Sequence, residues 1–180
     1  MSAQGTPTYA IRFATPADVP DVHALIRGLA DYERLTDVCV STPEDVAAAL
    51  FGPTPAAEAL IARETAKSRR AVGFALFFHT FSTFRGRRNL WLEDLFVVPD
   101  ARGSGLGRAL LLELAGIAHE RGCARFEWSV LDWNTSAIGF YEKQGAVVLP
   151  DWRIARVTGD ALAAMAARRG TSAATGGTGG

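Results

Sequence analysis

The sequence predicts a mixed α/β domain, and three observations carry that reading. Three segments of strand length and mainly apolar character follow one another between residues 59 and 97. A leucine-rich helical stripe, a further strand and a second capped helix then alternate. A basic, glycine-punctuated turn joins the last of the three strands to the leucine-rich helix. The order β-α-α-β-β-β-α-β-α-β, without internal repeat, argues for a mixed sheet with helices on both faces.

Tyr9 to Phe13 alternates as a first strand. Thr15-Pro16-Ala17-Asp18 is a helix start with a capping Thr and Pro in the first turn. Val19, Val22, Leu25, Ile26 and Leu29 then form one apolar stripe, which should end near Tyr32. Ser41 to Glu44 has the pattern of a capping box for a short helix that Gly52-Pro53 terminates. Ala59 to Arg63 is a strand, Lys67 to Arg70 a charged turn, and Ala71 to Phe78 and Leu90 to Val97 two more strands. His79 to Asn89 is expected to connect them as a loop or hairpin. Leu106 to Arg121 is a helix with Leu106, Leu110, Leu114 and Ile117 on one face and Gly122 as its stop. Arg125 to Leu131 is a strand, and Asn134 to Gln144 a helix with an Asn cap and Gly145 beyond it. Val147 to Leu149 and Arg153 to Val157 are candidate strands split by Pro150, and Thr158 to Ala167 a last short helix.

At 180 residues the chain suits one domain. Met1 to Thr8 and residues 168–180 are expected to be loose, because they carry almost nothing that builds a core. The domain proper then spans 9–167. Basic and acidic residues balance at 19 each, so no global field points to a nucleic-acid partner. No apolar run approaches the roughly 18 residues of a membrane span. With only two cysteines and no CxxC pair, a reducing cytoplasm is the expected compartment. Three dispersed histidines offer no ligand spacing, so no metal is expected.

Arg102-Gly103-Ser104-Gly105-Leu106-Gly107-Arg108 carries the chemistry. It lacks the Gly-Lys-Ser/Thr ending of a Walker loop, and its glycine spacing differs from a dinucleotide fingerprint. Small residues before a helix let backbone N–H groups approach an anion, and the helix dipole and two arginines favour negative charge. The competing reading is a plain tight turn before a helix.

The spacing Arg-x-x-Gly-x-Gly between strand and long helix resembles the pyrophosphate-binding signature of the GNAT superfamily of N-acetyltransferases. Leu92-Glu93-Asp94-Leu95-Phe96-Val97 before it, Glu127-Trp128 and Asn134 after it, and Ala137-Ile138-x-Phe140-Tyr141 extend the match. In detail the chain resembles the diamine branch, which holds the spermidine/spermine, thialysine and plant diamine acetyltransferases. The resemblance implies a mostly antiparallel sheet of six to seven strands, acetyl-CoA as acyl donor, a small primary amine as acceptor, and a homodimer paired through C-terminal strands.

It also implies roles. Leu95, Phe96 and Val97 would offer backbone hydrogen bonds to the pantetheine arm, where the central strand splays from its neighbour beside a bulge. The turn from Arg102 to Arg108, with Asn134 and Ala137, would hold the rest of the cofactor. Asn134 is also a good helix cap, and both roles can hold. Tyr141 is the candidate general acid, since a phenol is protonated at neutral pH and can donate to a departing thiolate; its competitor is an aromatic packed beside Phe140. Glu93 is the candidate base, acting directly or through water. Strand alternation sends Glu93 and Asp94 to opposite faces, so only one is expected to face the acyl group. Tyr32, Glu33, Glu127 and Trp128 are candidates for the amine site.

One segment departs from the polyamine enzymes. Phe81-Ser82-Thr83-Phe84 and the basic Arg85 to Arg88 stand where those carry an acidic residue and a Trp. A shorter diamine, or an amino acid with a terminal amine, fits better than a long polycation. Two other functions stay open at this level: protein or peptide N-acetylation, and a non-catalytic acyl-CoA sensor.

Overall fold

The computed structural model describes residues 9–65 and 68–169. The expected loose segment 1–8, Lys67 of the charged turn and all but two residues of the expected tail lie outside the described residues. The chain divides into two compact units, between Ser129 and Val130.

The first unit holds five strands: β1 (Tyr9–Phe13), β2 (Glu58–Glu64), β3 (Ala71–Ser82), β4 (Arg87–Val97) and β5 (Phe126–Trp128). They lie in sequence order across one sheet. The first four pair antiparallel, and β4 pairs parallel with β5. The parallel pair is joined through α3 (Leu106–Glu120), as a parallel pair requires a crossover. α1 (Val19–Tyr32) and α2 (Pro43–Phe51) cover one face. There Val22, Leu25, Val46 and Leu50 pack on Ile61, Phe74 and Phe96. α3 covers the other face, where Leu106 and Leu110 approach Gly73. The expected two-faced mixed sheet is therefore present.

Three expectations are corrected. Thr42, not Ser41, caps α2; its hydroxyl accepts from the Asp45 N–H at 3.2 Å, which leaves Pro43 at the first helical position. The connection over residues 79–89 is the expected hairpin, but its strands are longer than expected, since β3 runs on to Ser82 and β4 begins at Arg87. Its mostly polar rungs, with Ser82 and Asn89 buried, gave no apolar periodicity to read. Third, the described residues form five strands rather than six to seven.

The missing strands were expected in the second unit, which holds α4 (Thr135–Glu142) and α5 (Gly159–Ala167). Residues 147–149 and 153–157 are not in a ladder there. Val147, Leu149, Trp152 and Ile154 are all exposed, so no buried face selects a register for them.

A buried ion cluster ties β1, α1 and β2 together. Asp18 is 2% exposed. Its carboxylate accepts from both Arg12 guanidinium nitrogens at 2.7 and 2.8 Å, from Arg63 at 2.7 Å, and from the Thr15 hydroxyl at 2.7 Å. The Arg12 guanidinium holds this carboxyl well below the usual range. Asp18→Ala should cost about 3 kcal/mol in urea unfolding at pH 7, because it strands two paired guanidinium groups. A carboxyl with a depressed folded pKa stabilises fully above its ordinary value near 4 and loses that contribution as pH falls further. The gap between wild type and variant should thus narrow from about pH 5 to pH 2.

Candidate active site

The site starts from one extra residue in β4. Leu92 stands opposite Phe77 and Asp94 opposite Leu76, so Glu93 has no partner and forms a β-bulge. Directly opposite residues share a face of the sheet, and neighbours along a strand do not. Leu92 therefore lies on the face of Phe77, and Asp94 on that of Leu76, which packs against the α1/α2 core. The bulge places residues two apart on opposite faces, which a regular strand forbids. Glu93 accepts a hydrogen bond from Trp91 Nε1 at 2.9 Å, and Trp91 is on the side away from Leu92. Glu93 and Asp94 thus share one side. The expectation that they diverge is corrected, and the reason is the bulge.

Asp94 is half-buried, and its carboxyl is pushed up to about 6. Burial is the main cause, followed by the negative charges of Glu93 and Glu33. Glu33 caps the C-terminal end of α1, and burial raises its carboxyl too. The three carboxylates Glu33, Glu93 and Asp94 therefore form one acidic group at the middle of the central strand. A cation entering it would relieve repulsion and restore the ionised form of Asp94.

Beyond the bulge, β4 has a free edge. β5 pairs with Leu90, Trp91 and Leu92 and no further. Val98 N–H donates to the Val72 carbonyl at 3.0 Å. Antiparallel alternation then directs the N–H and C=O of Phe96 towards β3, and those of Leu95 and Val97 towards the edge that β5 has left. Leu95 through its N–H and C=O, and Val97 through its N–H, can therefore bond a ligand, whereas Phe96 contributes its ring to the core.

At the end of β4 the chain turns through Gly103 and Gly105 at φ 77° and 84°, the left-handed region that favours glycine. The Ser104 hydroxyl ties the turn by donating to the Ala101 carbonyl at 2.7 Å. α3 begins at Leu106, so the N–H groups of its first turn point out of the helix; that of Leu106 donates to the Ser104 hydroxyl at 3.4 Å. Gly107 is informative for another reason. It has no left-handed φ, and an added Cβ would come no closer than 3.9 Å to Val97. Nothing within the chain demands a glycine there, but the bare backbone stays open to an anion. Arg108 is exposed in this first turn.

The Arg102 side chain reaches back from the turn towards β4 and α1. Its Nε donates to the Val97 carbonyl at 3.0 Å. Its guanidinium lies 4.4 Å from the centre of the Tyr32 ring and 5.6 Å from that of Phe96. Tyr32 is thus a stacking partner of the turn, at the end of α1. Glu127 and Trp128 are half-buried on β5, beside Trp91 and Leu92. Glu127 accepts from Arg125 at 3.2 Å, and the Trp128 ring lies 4.8 Å from that of Phe126.

In the second unit, Asn134 caps α4: its Oδ1 accepts from the Ala137 N–H at 3.2 Å. Tyr141 lies one helical turn further on, with its ring 5.2 Å from that of Phe140. Among the described residues no group of three or more His, Cys, Asp and Glu is placed to hold a metal ion. No helix there is long and apolar enough to cross a membrane.

This arrangement has relatives. The profile of the Acetyltransferase (GNAT) family matches residues 29–146, from the end of α1 to the end of α4. The chain belongs to the GNAT acetyltransferase family. It is 36% identical to the thialysine N-epsilon-acetyltransferase of Bos taurus, over 88% of this chain and 97% of that one. It is 34% identical to an L-ornithine N5-acetyltransferase of Arabidopsis thaliana, over 86% of each. Among solved structures, an integron cassette protein from the mobile metagenome of V. cholerae superposes with a TM-score of 0.75 at 26% identity, covering 88% of this chain and 98% of that one. This GNAT protein is an acetyltransferase, and these two relatives, matched along most of their length, are named for acetylation of thialysine and ornithine.

Asp94 is a candidate site residue that the sequence pattern did not favour. Two adjacent acids in an apolar strand were the only visible signal, and the bulge that joins them leaves no mark in the pattern. Glycine chemistry in the turn makes a sharp test. Gly105→Ala, at a left-handed φ, should lower stability by about 1 kcal/mol or more in urea unfolding. Gly107→Ala should lower it by less than about 0.5 kcal/mol.

Proposed function

We propose that this acetyltransferase moves an acetyl group from acetyl-CoA directly to the primary amine of a small cationic substrate. The observation that carries the reading is the acidic group of Glu33, Glu93 and Asp94 beside the free edge of β4 and the anion-accepting turn. The residues present fit acetyl-CoA. Leu95 and Val97 offer edge groups to an amide-bearing arm, and the first turn of α3 offers N–H groups to a pyrophosphate. Bound acetyl-CoA supplies a thioester-activated acetyl group.

The chain's own residues would do the rest. The acidic group draws in the ammonium, with Tyr32, Glu127 and Trp128 as further walls of the amine site. Asp94, titrating near neutrality, takes the proton that the amine must lose, and Glu93 keeps the local charge negative. Glu93 as the base itself is the competing assignment. Asn134 and Ala137 are assigned to the cofactor by the family resemblance. Tyr141 holds the proton for the departing thiolate on the same ground.

Thialysine and ornithine, which name the relatives' activities, are both amino acids with a terminal amine. We propose an acceptor of that class, or a short diamine, ahead of long polyamines. Phe81, Phe84 and Arg85 are exposed where the β3–β4 hairpin turns, and a basic hairpin repels a polycation. We also propose a homodimer, supported by Trp152 and Ile154, which stand 75% and 69% exposed. A screen of CoA release against thialysine, ornithine, diamines, polyamines and peptides tests the acceptor class. Release with peptides alone would overturn it.

Two predictions follow the proton. With Asp94 as base, kcat/KM should rise with pH to a plateau above about 6. Asp94→Asn should abolish that limb and lower kcat/KM at least about 100-fold. Glu93→Gln should move the limb to lower pH, because one repelling charge is gone; loss of the limb there would make Glu93 the base. The stability sign is opposite. An acid with a raised folded pKa destabilises the protein above that pKa, so Asp94→Asn should gain about 1–3 kcal/mol at pH 8 and less at pH 5. For the acid, Tyr141→Phe should retain CoA binding by calorimetry and lose most turnover; unchanged turnover would remove Tyr141 from the mechanism.

A further inference from the structure

We infer that Arg102 is a positioning residue that couples the cofactor turn to the amine site through the Tyr32 ring. The inference rests on the reading that CoA occupies this turn and the amine the acidic group. Arg102 links the turn to two other parts of the site. Its backbone belongs to the turn. Its Nε holds the Val97 carbonyl on the free edge of β4 at 3.0 Å. Its guanidinium stacks on Tyr32 at 4.4 Å. Tyr32 ends α1, and the next residue is Glu33, one of the charges that raise Asp94.

The stack can move. It forms part of the wall of a cavity of about 380 Å³ between α1 and the end of β4, so the side chains are not locked from that side. An anion that orders the turn through its backbone N–H groups also fixes the root of Arg102. The planar guanidinium then fixes the ring, and the ring fixes the end of α1. Lysine cannot substitute, because it has neither the planar stacking face nor a donor at the Nε position. The ring, and not the phenol, is what the guanidinium meets, so phenylalanine can.

Amide hydrogen exchange on the full chain, with and without saturating CoA, tests the coupling. The reporters are the Glu33 N–H, which donates to the Leu29 carbonyl, and the Leu35 N–H, which donates to the Ala30 carbonyl. CoA should slow both by about 5-fold or more relative to amides of α2. The slowing should persist in Tyr32→Phe and fall below about 2-fold in Arg102→Lys and Tyr32→Leu, although calorimetry shows each still binding CoA. Arg102→Lys with Tyr32→Leu should be no worse than either alone. A wild type that binds CoA but leaves the end of α1 unchanged would overturn the coupling alone, as would undiminished slowing in Arg102→Lys. A wild type that binds no CoA would overturn the acetyl-CoA reading and the coupling with it.

Discussion

The single unpaired residue in β4 is the constraint on which the rest of the site depends. Without Glu93 as a bulge, Leu92 and Asp94 would share a face, and one of them would be misplaced. Leu92 belongs in the core, 2% exposed, on the side that α3 covers. Asp94 belongs on the α1 side, where Glu33 stands. The extra residue satisfies both. It also falls one position after the last rung that β4 shares with β5, so pairing stops where the backbone is already bent.

The consequence is a strand with two chemical ends. At the bulge the strand presents Asp94, whose carboxyl burial and the charges of Glu93 and Glu33 keep reluctant to ionise. At its exit the chain presents the N-terminal turn of a helix, whose backbone N–H groups point outward. Between them Leu95 and Val97 face outward with backbone groups that no neighbouring strand takes. An elongated ligand, anionic at one end, matches that gradient, and a cation matches its acidic end. The acidic group costs stability, as a desolvated, self-repelling cluster must. The Asp18 cluster with Arg12 and Arg63 is the opposite arrangement, since there each buried charge has its partner.

Much of this was legible in the chain. The 3.6-residue stripes of α1 and α3 and the apolar runs of β2 and β3 are strong local signals, because each element buries one continuous face. Gly103 and Gly105 were readable as a turn because only their backbone conformation is demanding. Asn134 was readable as a cap because a cap is a contact within a few residues. The polar ends of β3 and β4 were not readable, since their rungs are held by cross-strand hydrogen bonds rather than by an apolar face. The Ser41 cap failed by one residue, where Ser and Thr adjoin and only Pro43 decides between them.

By itself the sequence determined the element order, the anion-accepting turn, the family resemblance and the residues from which a site is chosen. These depend on composition and short spacing, which the chain carries locally. Tertiary structure alone decided that Glu93 and Asp94 face the same side, that the backbone of Phe96 faces β3 while those of Leu95 and Val97 face the free edge, and that Arg102 turns back onto Tyr32. Each of those depends on register between strands or on contact between distant segments. A shift of one residue in pairing reverses every side chain beyond it, and no local pattern in the chain records where that shift occurs.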